Sequence, residues 1–337
     1  MVTYGLRSNV TKGLTDIPGI LVGHASDHEA LTGCTAILTE AGATGGVWVG
    51  GSATGTEELA ALEPGHVAGR VHAVVLAGGS AFGLEAASGV RRYLERKGVG
   101  FETSAARVPI VPCAILYDLG IGAADVRPTR EMGEAAARAA GGGPVEEGAV
   151  GAGTGATVGK LFGMRQAMKS GLGSATVALE GSLAGVRVAA FSVVNAIGDV
   201  VDPRTGSIVA GARVSPESLE FAGTASQMKR GASGGFRPEN TTLVVVATNA
   251  QLTRIEARKL AELASLGMAR AINPVNTMSD GDIVIALSLG AERAPIDALG
   301  VAAAEAVAES ILRAVRLAPS LGGLPGLASA PQCRRSA

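Results

Sequence analysis

A short turn, Pro238-Glu239-Asn240-Thr241-Thr242, runs straight into the apolar, β-branched stretch Leu243-Val244-Val245-Val246-Ala247-Thr248-Asn249. A hydroxyl at the head of such a strand can attack the carbonyl of the residue before it. Addition of the Thr241 hydroxyl to the Asn240 carbonyl produces an N-to-O acyl shift, an ester that water can hydrolyse, and a new N-terminus at Thr241. The freed α-amine, with an unperturbed pKa of ~7.7–8, can then accept the proton of its own hydroxyl close to neutral pH. Nucleophile and base would share one residue. The same residues also suit an ordinary junction, because Asn favours turns and Thr favours strand starts. Taken alone, they leave both readings open.

Other chemistries fit less well. Gly78-Gly79-Ser80-Ala81-Phe82-Gly83 follows an apolar run like a nucleophile turn, but Phe82 stands where Gly-x-Ser-x-Gly needs glycine. All four histidines (His24, His28, His66, His72) precede Ser80, which excludes the Ser, Asp, His chain order of that family; Ser80 is read as a helix N-cap. Gly151-Ala152-Gly153-Thr154-Gly155-Ala156 matches a dinucleotide fingerprint, yet no clear strand precedes it, and 49 glycines make chance matches common. Gly159-Lys160 is followed by Leu161, so a Walker loop fails. His24 and His28 share an i, i+4 spacing without a His-Glu-x-x-His helix, and they read as part of a polar loop. Neither a metal nor a cofactor is expected.

The elements that must position a site at Thr241 follow from apolar patterning. Runs at 34–38, 46–49, 71–77, 175–179, 186–194, 243–248 and 283–289 read as strands, and Ala-rich stretches at 82–97, 130–140, 254–269 and 296–317 read as helices. Several strands are apolar on both faces, as when helices cover a sheet or two sheets pack together between helical layers. Hydrophobic residues make up 47% of the chain and aromatics only 3%, so the core is built from small aliphatic side chains around glycine turns. With 29 basic and 30 acidic residues there is no electrostatic footprint for nucleic acid or an anionic membrane. The residues from Met1 to Gly5 lack a signal-peptide pattern and no run reaches the ~20 apolar residues of a membrane span, so the cytoplasm is the expected compartment. Cys34, Cys113 and Cys333 are too few and too scattered for a disulfide framework and read as buried small side chains.

A set of segments in fixed order resembles the L-aminopeptidase/D-amino-acid esterase (DmpA-type) family, which includes nylon-oligomer hydrolases. They are Leu14-Thr15-Asp16-Ile17-Pro18-Gly19-Ile20, Val22-Gly23-His24, residues 78–84, Val111-Pro112 with Tyr117-Asp118, Gly151-Ala152-Gly153-Thr154-Gly155, and Asn240-Thr241-Thr242. The resemblance implies an α+β fold of the four-layer αββα sandwich type, as in DmpA and ornithine acetyltransferases. It implies one catalytic domain, 1–317, cut into 1–240 and 241–337, and a homo-oligomer of cleaved pairs acting on a small amide or peptide substrate; the tail 318–337, with Gly, Pro, Ser and two arginines, reads from its composition as disordered.

Residue by residue, the resemblance makes Thr241 the nucleophile, Asn195 the oxyanion donor and Tyr117 a neighbour of the substrate. It makes Lys169 the active-site lysine, with Lys160 as the rival. Asp280 and Asp282 would orient the Thr241 amine and hydroxyl. A Thr nucleophile with an Asp pair looks more like the nylon-oligomer hydrolase branch than the Ser-using aminopeptidases. The competing readings are an acyltransferase of the ornithine acetyltransferase kind and a nucleotide-binding module using residues 151–155.

Overall fold

The computed structural model describes residues 12–234 and 239–328. The segment from Met1 to Gly5, Pro238 and Cys333, which enter the reading above, lie outside the described residues. The principal strands are β1 (Leu21–Asp27), β2 (Thr32–Val49), β3 (Val71–Ala77), β4 (Cys113–Ile115), β5 (Leu172–Ala178), β6 (Arg187–Asn195), β7 (Thr241–Ala250) and β8 (Ile283–Glu292). The long helices are α1 (Glu85–Arg96), α2 (Arg130–Ala139), α3 (Arg254–Ala271) and α4 (Ile296–Arg316). All seven expected strand runs and all four expected helices are therefore present, with ends shifted by a few residues.

One difference is instructive. The runs 34–38 and 46–49 belong to a single 18-residue strand, β2. The strand bends at Gly42, whose φ of +82° is a left-handed conformation that glycine adopts without steric cost. Up to Ala43 β2 pairs with β3, and from Thr44 onward with β8. One strand thus ties two sheet halves into a nine-stranded sheet of order β5-β6-β7-β8-β2-β3-β4, with a short strand Thr56–Glu57 beyond β4 and with β1 on β2. All of this is a mixed α/β fold.

Alternation along the strands sorts side chains into three buried clusters. Val244, Val246, Val284 and Ala286 point toward Leu260, Ala264, Leu299 and Val307 of α3 and α4. Their sequence neighbours Leu243, Val245, Ile283 and Ile285 point the other way and meet Ile37, Val74 and Leu76 from β2 and β3. The far face of β2 and β3, with Ala36, Leu38, Ala73 and Val75, is covered by α1 and α2 through Ala86, Val90 and Ala136. Every strand of the middle is therefore apolar on both faces, which is why those runs show no polar alternation. Helix α3 starts at a complete capping box of Thr253 and Glu256, which places its first turn just after β7.

Two expectations need correction. Ser80 does not cap a helix: it is the first residue of a 3-10 turn, at φ +54°, with Gly79 in the cap position and no side-chain bond to the helix. The strand-to-helix turn is too sharp for the extended backbone that a Ser cap requires. Residues 318–328 are also packed rather than disordered. Ala318 and Leu324 are buried, Leu327 packs on the α3/α4 cluster, and the Pro325 carbonyl accepts the Lys169 amide at 2.9 Å. Residues 329–337 lie outside the described residues. Cys34 and Cys113 are buried, as expected, and burial pushes both thiol pKa values up. No helix among the described residues is long and apolar enough to cross a membrane.

Candidate active site

Thr241 is the first residue of β7, and β7 lies between two different partners. On one side it runs antiparallel to β6, with Asn195 directly opposite Thr241. On the other it runs parallel to β8, and the pairing extends past the strand ends to an Asn240 to Asp280 bridge. The Asn240–Thr241 peptide is thus held at a sheet end between the last residue of β6 and the turn that opens β8. Asn240, Thr241 and Thr242 are all buried. The Thr241 hydroxyl stands 2.6 Å from the Asn240 carbonyl oxygen, the atom of its own preceding peptide.

Asn195 is fully buried and held in one orientation. Its Oδ1 accepts from the Thr157 amide at 3.1 Å, the Thr157 hydroxyl at 3.2 Å and the Lys160 ammonium at 2.9 Å. Three donors on Oδ1 leave Nδ2 as the outward donor, and it reaches the carbonyls of Tyr117 at 3.0 Å and Glu239 at 3.3 Å. Lys160 also donates to the Asn195 carbonyl at 2.9 Å and to the Glu239 carbonyl at 3.3 Å. Burial lowers the Lys160 pKa to about 7 despite the acidic groups Asp280, Glu239, Asp118 and Asp282 around it.

The two lysines separate clearly. Lys169 does not join this group: its ammonium is fully buried and bonds the carbonyls of Gly153 (3.2 Å), Ala156 (2.9 Å) and Ser170. Burial lowers its pKa to about 7 as well, and Asp118 pulls it back up. Lys169 therefore pins the turn that carries Thr157, and Lys160 occupies the place beside Asn195 and Glu239. Asp118 holds the turn at Gly79, whose amide it accepts at 2.6 Å, and burial raises its pKa to about 6.

Asp280 and Asp282 are both buried next to the peptide. Asp282 accepts the Thr242 amide at 2.6 Å and the Asn276 amide at 2.9 Å. Asp280 accepts the Thr277 amide at 2.9 Å and hydroxyl at 2.6 Å. Burial raises both pKa values, and the charge of Asp280 pushes Asp282 further up. The charge of one carboxylate makes ionisation of the other harder. Asp282 braces the backbone just after Thr241 and Asp280 the turn before β8.

A pocket of ≈ 220 Å³ opens beside this group, lined by Tyr117, Lys160, Met164, Ile197, Glu239 and Asn240 among others. Burial raises the Tyr117 pKa, with Glu239 and Asp118 adding to it. Sequence reasoning missed Thr157 and Gly281, the second of which donates its amide to the Asn240 carbonyl at 2.8 Å. Nothing in the local sequence marks Thr157; Gly281 carried a signal in lying between two candidate aspartates.

The other candidate features lie elsewhere. The turn at 151–156 is buried throughout, and its amides are used internally, Gly151 donating to Ser26 and Ala152 to Thr35. No open phosphate cradle exists there, which overturns the nucleotide-binding reading. His24 bonds Thr35 at 2.9 Å and stacks on Phe191, and burial lowers its pKa to about 4. His28 is exposed, and Asp27 between them accepts the amides of Glu29 and Ala30.

The model of peptidase family S58 matches residues 12–328. An uncharacterized aminopeptidase of Mycobacterium leprae is 39% identical, over 93% of this chain and 92% of its own length. A 6-aminohexanoate-oligomer endohydrolase of Kocuria sp. is 31% identical, over 89% of this chain and 85% of its own. Among solved structures, the L-aminopeptidase D-Ala-esterase/amidase of Ochrobactrum anthropi, a variant of the Ntn hydrolase fold, superposes with a TM-score of 0.69. It is 21% identical and the match covers 91% of this chain and 86% of that one. A β-aminopeptidase of Burkholderia sp. gives a TM-score of 0.64 at 26% identity, over 94% and 90%.

Proposed function

Given that this chain belongs to peptidase family S58, whose members make it an amide hydrolase, we propose that Thr241 is its nucleophile, exposed by cutting the chain after Asn240. The observation that carries this reading is the 2.6 Å approach of the Thr241 hydroxyl to the carbonyl oxygen of its own preceding peptide, at a buried sheet end. In the first step the Thr241 Oγ–C bond forms at Asn240, the C–N bond breaks, and the hydroxyl proton ends on the new α-amine. Water then hydrolyses the ester and Asn240 becomes a C-terminal carboxylate. In turnover the amine takes the hydroxyl proton, Oγ adds to the substrate carbonyl, the amine product leaves with a proton, and water releases the acyl group.

Asn195 supplies the oxyanion donor for that second reaction. Loss of the Glu239–Asn240 segment from the site would remove one acceptor, the Glu239 carbonyl, from both Asn195 Nδ2 and Lys160. Lys160, rather than Lys169, is the lysine of the site, and Tyr117 lines the substrate pocket. The three buried clusters support a four-layer αββα sandwich, one catalytic domain whose packing runs past 317 to the residues up to 328; it is matured into 1–240 and 241–337, and the family resemblance adds an oligomer of such pairs. Substrates are amides with a free amine, as the aminopeptidase and 6-aminohexanoate-oligomer relatives suggest. Incubation with an aminoacyl anilide should release the aniline and, after acid quenching, leave the aminoacyl mass on the fragment that begins at Thr241. Acetyl transfer from acetylornithine in place of anilide hydrolysis would overturn the reading in favour of an acyltransferase.

The aspartate pair makes this reaction pH-dependent in a defined direction. A nearby carboxylate stabilises the ammonium form of the Thr241 amine and raises its pKa, and turnover needs the neutral amine. Activity should rise through the neutral to mildly alkaline range. Asp280→Asn can keep both bonds to Thr277 while removing one negative charge, so its rising limb should lie at lower pH than that of the wild type. Superimposable pH profiles would reduce the pair to a polar turn.

A further inference from the structure

Two donors flank the Asn240–Thr241 peptide from opposite strands, and they bind different carbonyls. From the β6 side, Asn195 Nδ2 reaches the carbonyls of Glu239 and Tyr117. From the β8 side, the Gly281 amide donates to the Asn240 carbonyl at 2.8 Å. That oxygen is the one the Thr241 hydroxyl approaches.

Attack of Thr241 Oγ on the Asn240 carbon turns the Asn240 oxygen into an oxyanion, and the group already donating to it is a backbone amide fixed before the reaction starts. Its fixation is visible on both sides of residue 281. The Asp280 carbonyl accepts the Ala53 amide at 2.9 Å, and the Asp282 carbonyl accepts the amides of Gly50 at 3.0 Å and Gly51 at 3.1 Å. A donor that needs no reorganisation is the kind that stabilises a developing charge most. Glycine at 281 has its own reason: a Cβ there would stand 2.5 Å from the Ala53 carbonyl oxygen and 2.8 Å from the Thr241 hydroxyl. A side chain would push against the attacking atom.

We propose that the Gly281 amide is the oxyanion donor of the self-cleavage step, and that Asn195 serves only the turnover that follows. The two reactions of one nucleophile then use opposite sides of β7. This rests on Thr241 as the self-cleaving residue. In bond terms, the Oγ–C bond forms and the Asn240 carbonyl becomes the oxyanion held by Gly281. The C–N bond then breaks, the hydroxyl proton passes to the Thr241 nitrogen, and the oxyanion returns to an ester carbonyl.

The test is the rate of cutting, followed on denaturing gels after cell-free translation. Glycolate is placed at 281 by nonsense suppression, which replaces the N–H by an ester oxygen and adds no side chain. Cutting should slow by roughly 10²–10³-fold, the usual effect of one lost oxyanion donor. Asn195→Asp keeps the acceptor that Thr157 and Lys160 bind and replaces the Nδ2 donor by an oxygen; it should still cut, with a smaller loss than the glycolate chain. The proposal is overturned by wild-type cutting of the glycolate chain. Failed cutting of Asn195→Asp overturns it too, whether or not the glycolate chain folds. A wild-type chain that stays whole would instead bring down the assignment of Thr241 on which both arms depend.

Discussion

Thr241→Ala protein is expected to remain one chain of 337 residues and to lose turnover, while the wild type separates under denaturing conditions into pieces of 240 and 97 residues. N-terminal sequencing of the smaller piece should read Thr-Thr-Leu-Val. The substitution removes both the hydroxyl that approaches the Asn240 carbonyl at 2.6 Å and the nucleophile that the cut would expose. Loss of a covalent nucleophile in other hydrolases costs on the order of 10⁴-fold or more in rate. The fold should survive, because the buried side chain lost is small and Leu243 to Ala247 carry the packing of β7. Thr241→Ser restores the hydroxyl and should restore cutting. A chain that is active while intact, or a Thr241→Ala protein that still cuts, would remove Thr241 from the mechanism.

The second large effect belongs to Asn195, and it separates the two reactions. Asn195→Ala should lose turnover of a matured enzyme by roughly 10²–10³-fold, about 2.7–4 kcal/mol of transition-state stabilisation, because the Nδ2 donor is gone. It should still cut, since in the uncut chain Nδ2 binds Glu239 and Tyr117 rather than Asn240. Alanine also strips Lys160 and Thr157 of the acceptor they share, so some loss of stability is expected with it. Asn195→Asp retains that acceptor but sets an oxygen in place of Nδ2 against the Tyr117 and Glu239 carbonyls, and its turnover should be equally low. Measured kcat near the wild-type value in both variants would exclude Asn195 as the oxyanion donor.

These predictions place the substrate chemistry in a site assembled from distant pieces. Thr157 and Lys160 come from the segment after the buried turn at 151–156, Asn195 from the end of β6, Thr241 from the start of β7, and Asp280 to Asp282 from the entry to β8. Lys169 stands behind them, and its bonds to Gly153 and Ala156 set the turn from which Thr157 reaches Asn195. Its contribution to the site is through that backbone.

The sequence by itself determined the elements and the local chemistry. Runs of Val, Ile and Leu bounded by glycine can only be buried strands, and the Ala-rich stretches with helical spacing can only be their covers, so the mixed architecture was legible before any coordinates. The junction at Asn240-Thr241 was visible too, as a hydroxyl before a β-branched run, a local feature that an ordinary strand start shares. What the tertiary structure decided were matters of register and side. The 18-residue strand β2 was read as two because Gly42 interrupts the apolar pattern, and only pairing with β3 and β8 makes it continuous. The proposed preference for Lys160 over Lys169 rests on where two ammonium groups 9 residues apart end up, which spacing to a glycine turn does not encode. The role proposed for Gly281 rests on a parallel ladder between β7 and β8, which brings its amide to a carbonyl 41 residues earlier in the chain. Periodicity reports which face of a strand is buried; it carries no information about the strand that lies beside it, and hydrogen bonds to a scissile carbonyl come from that neighbour.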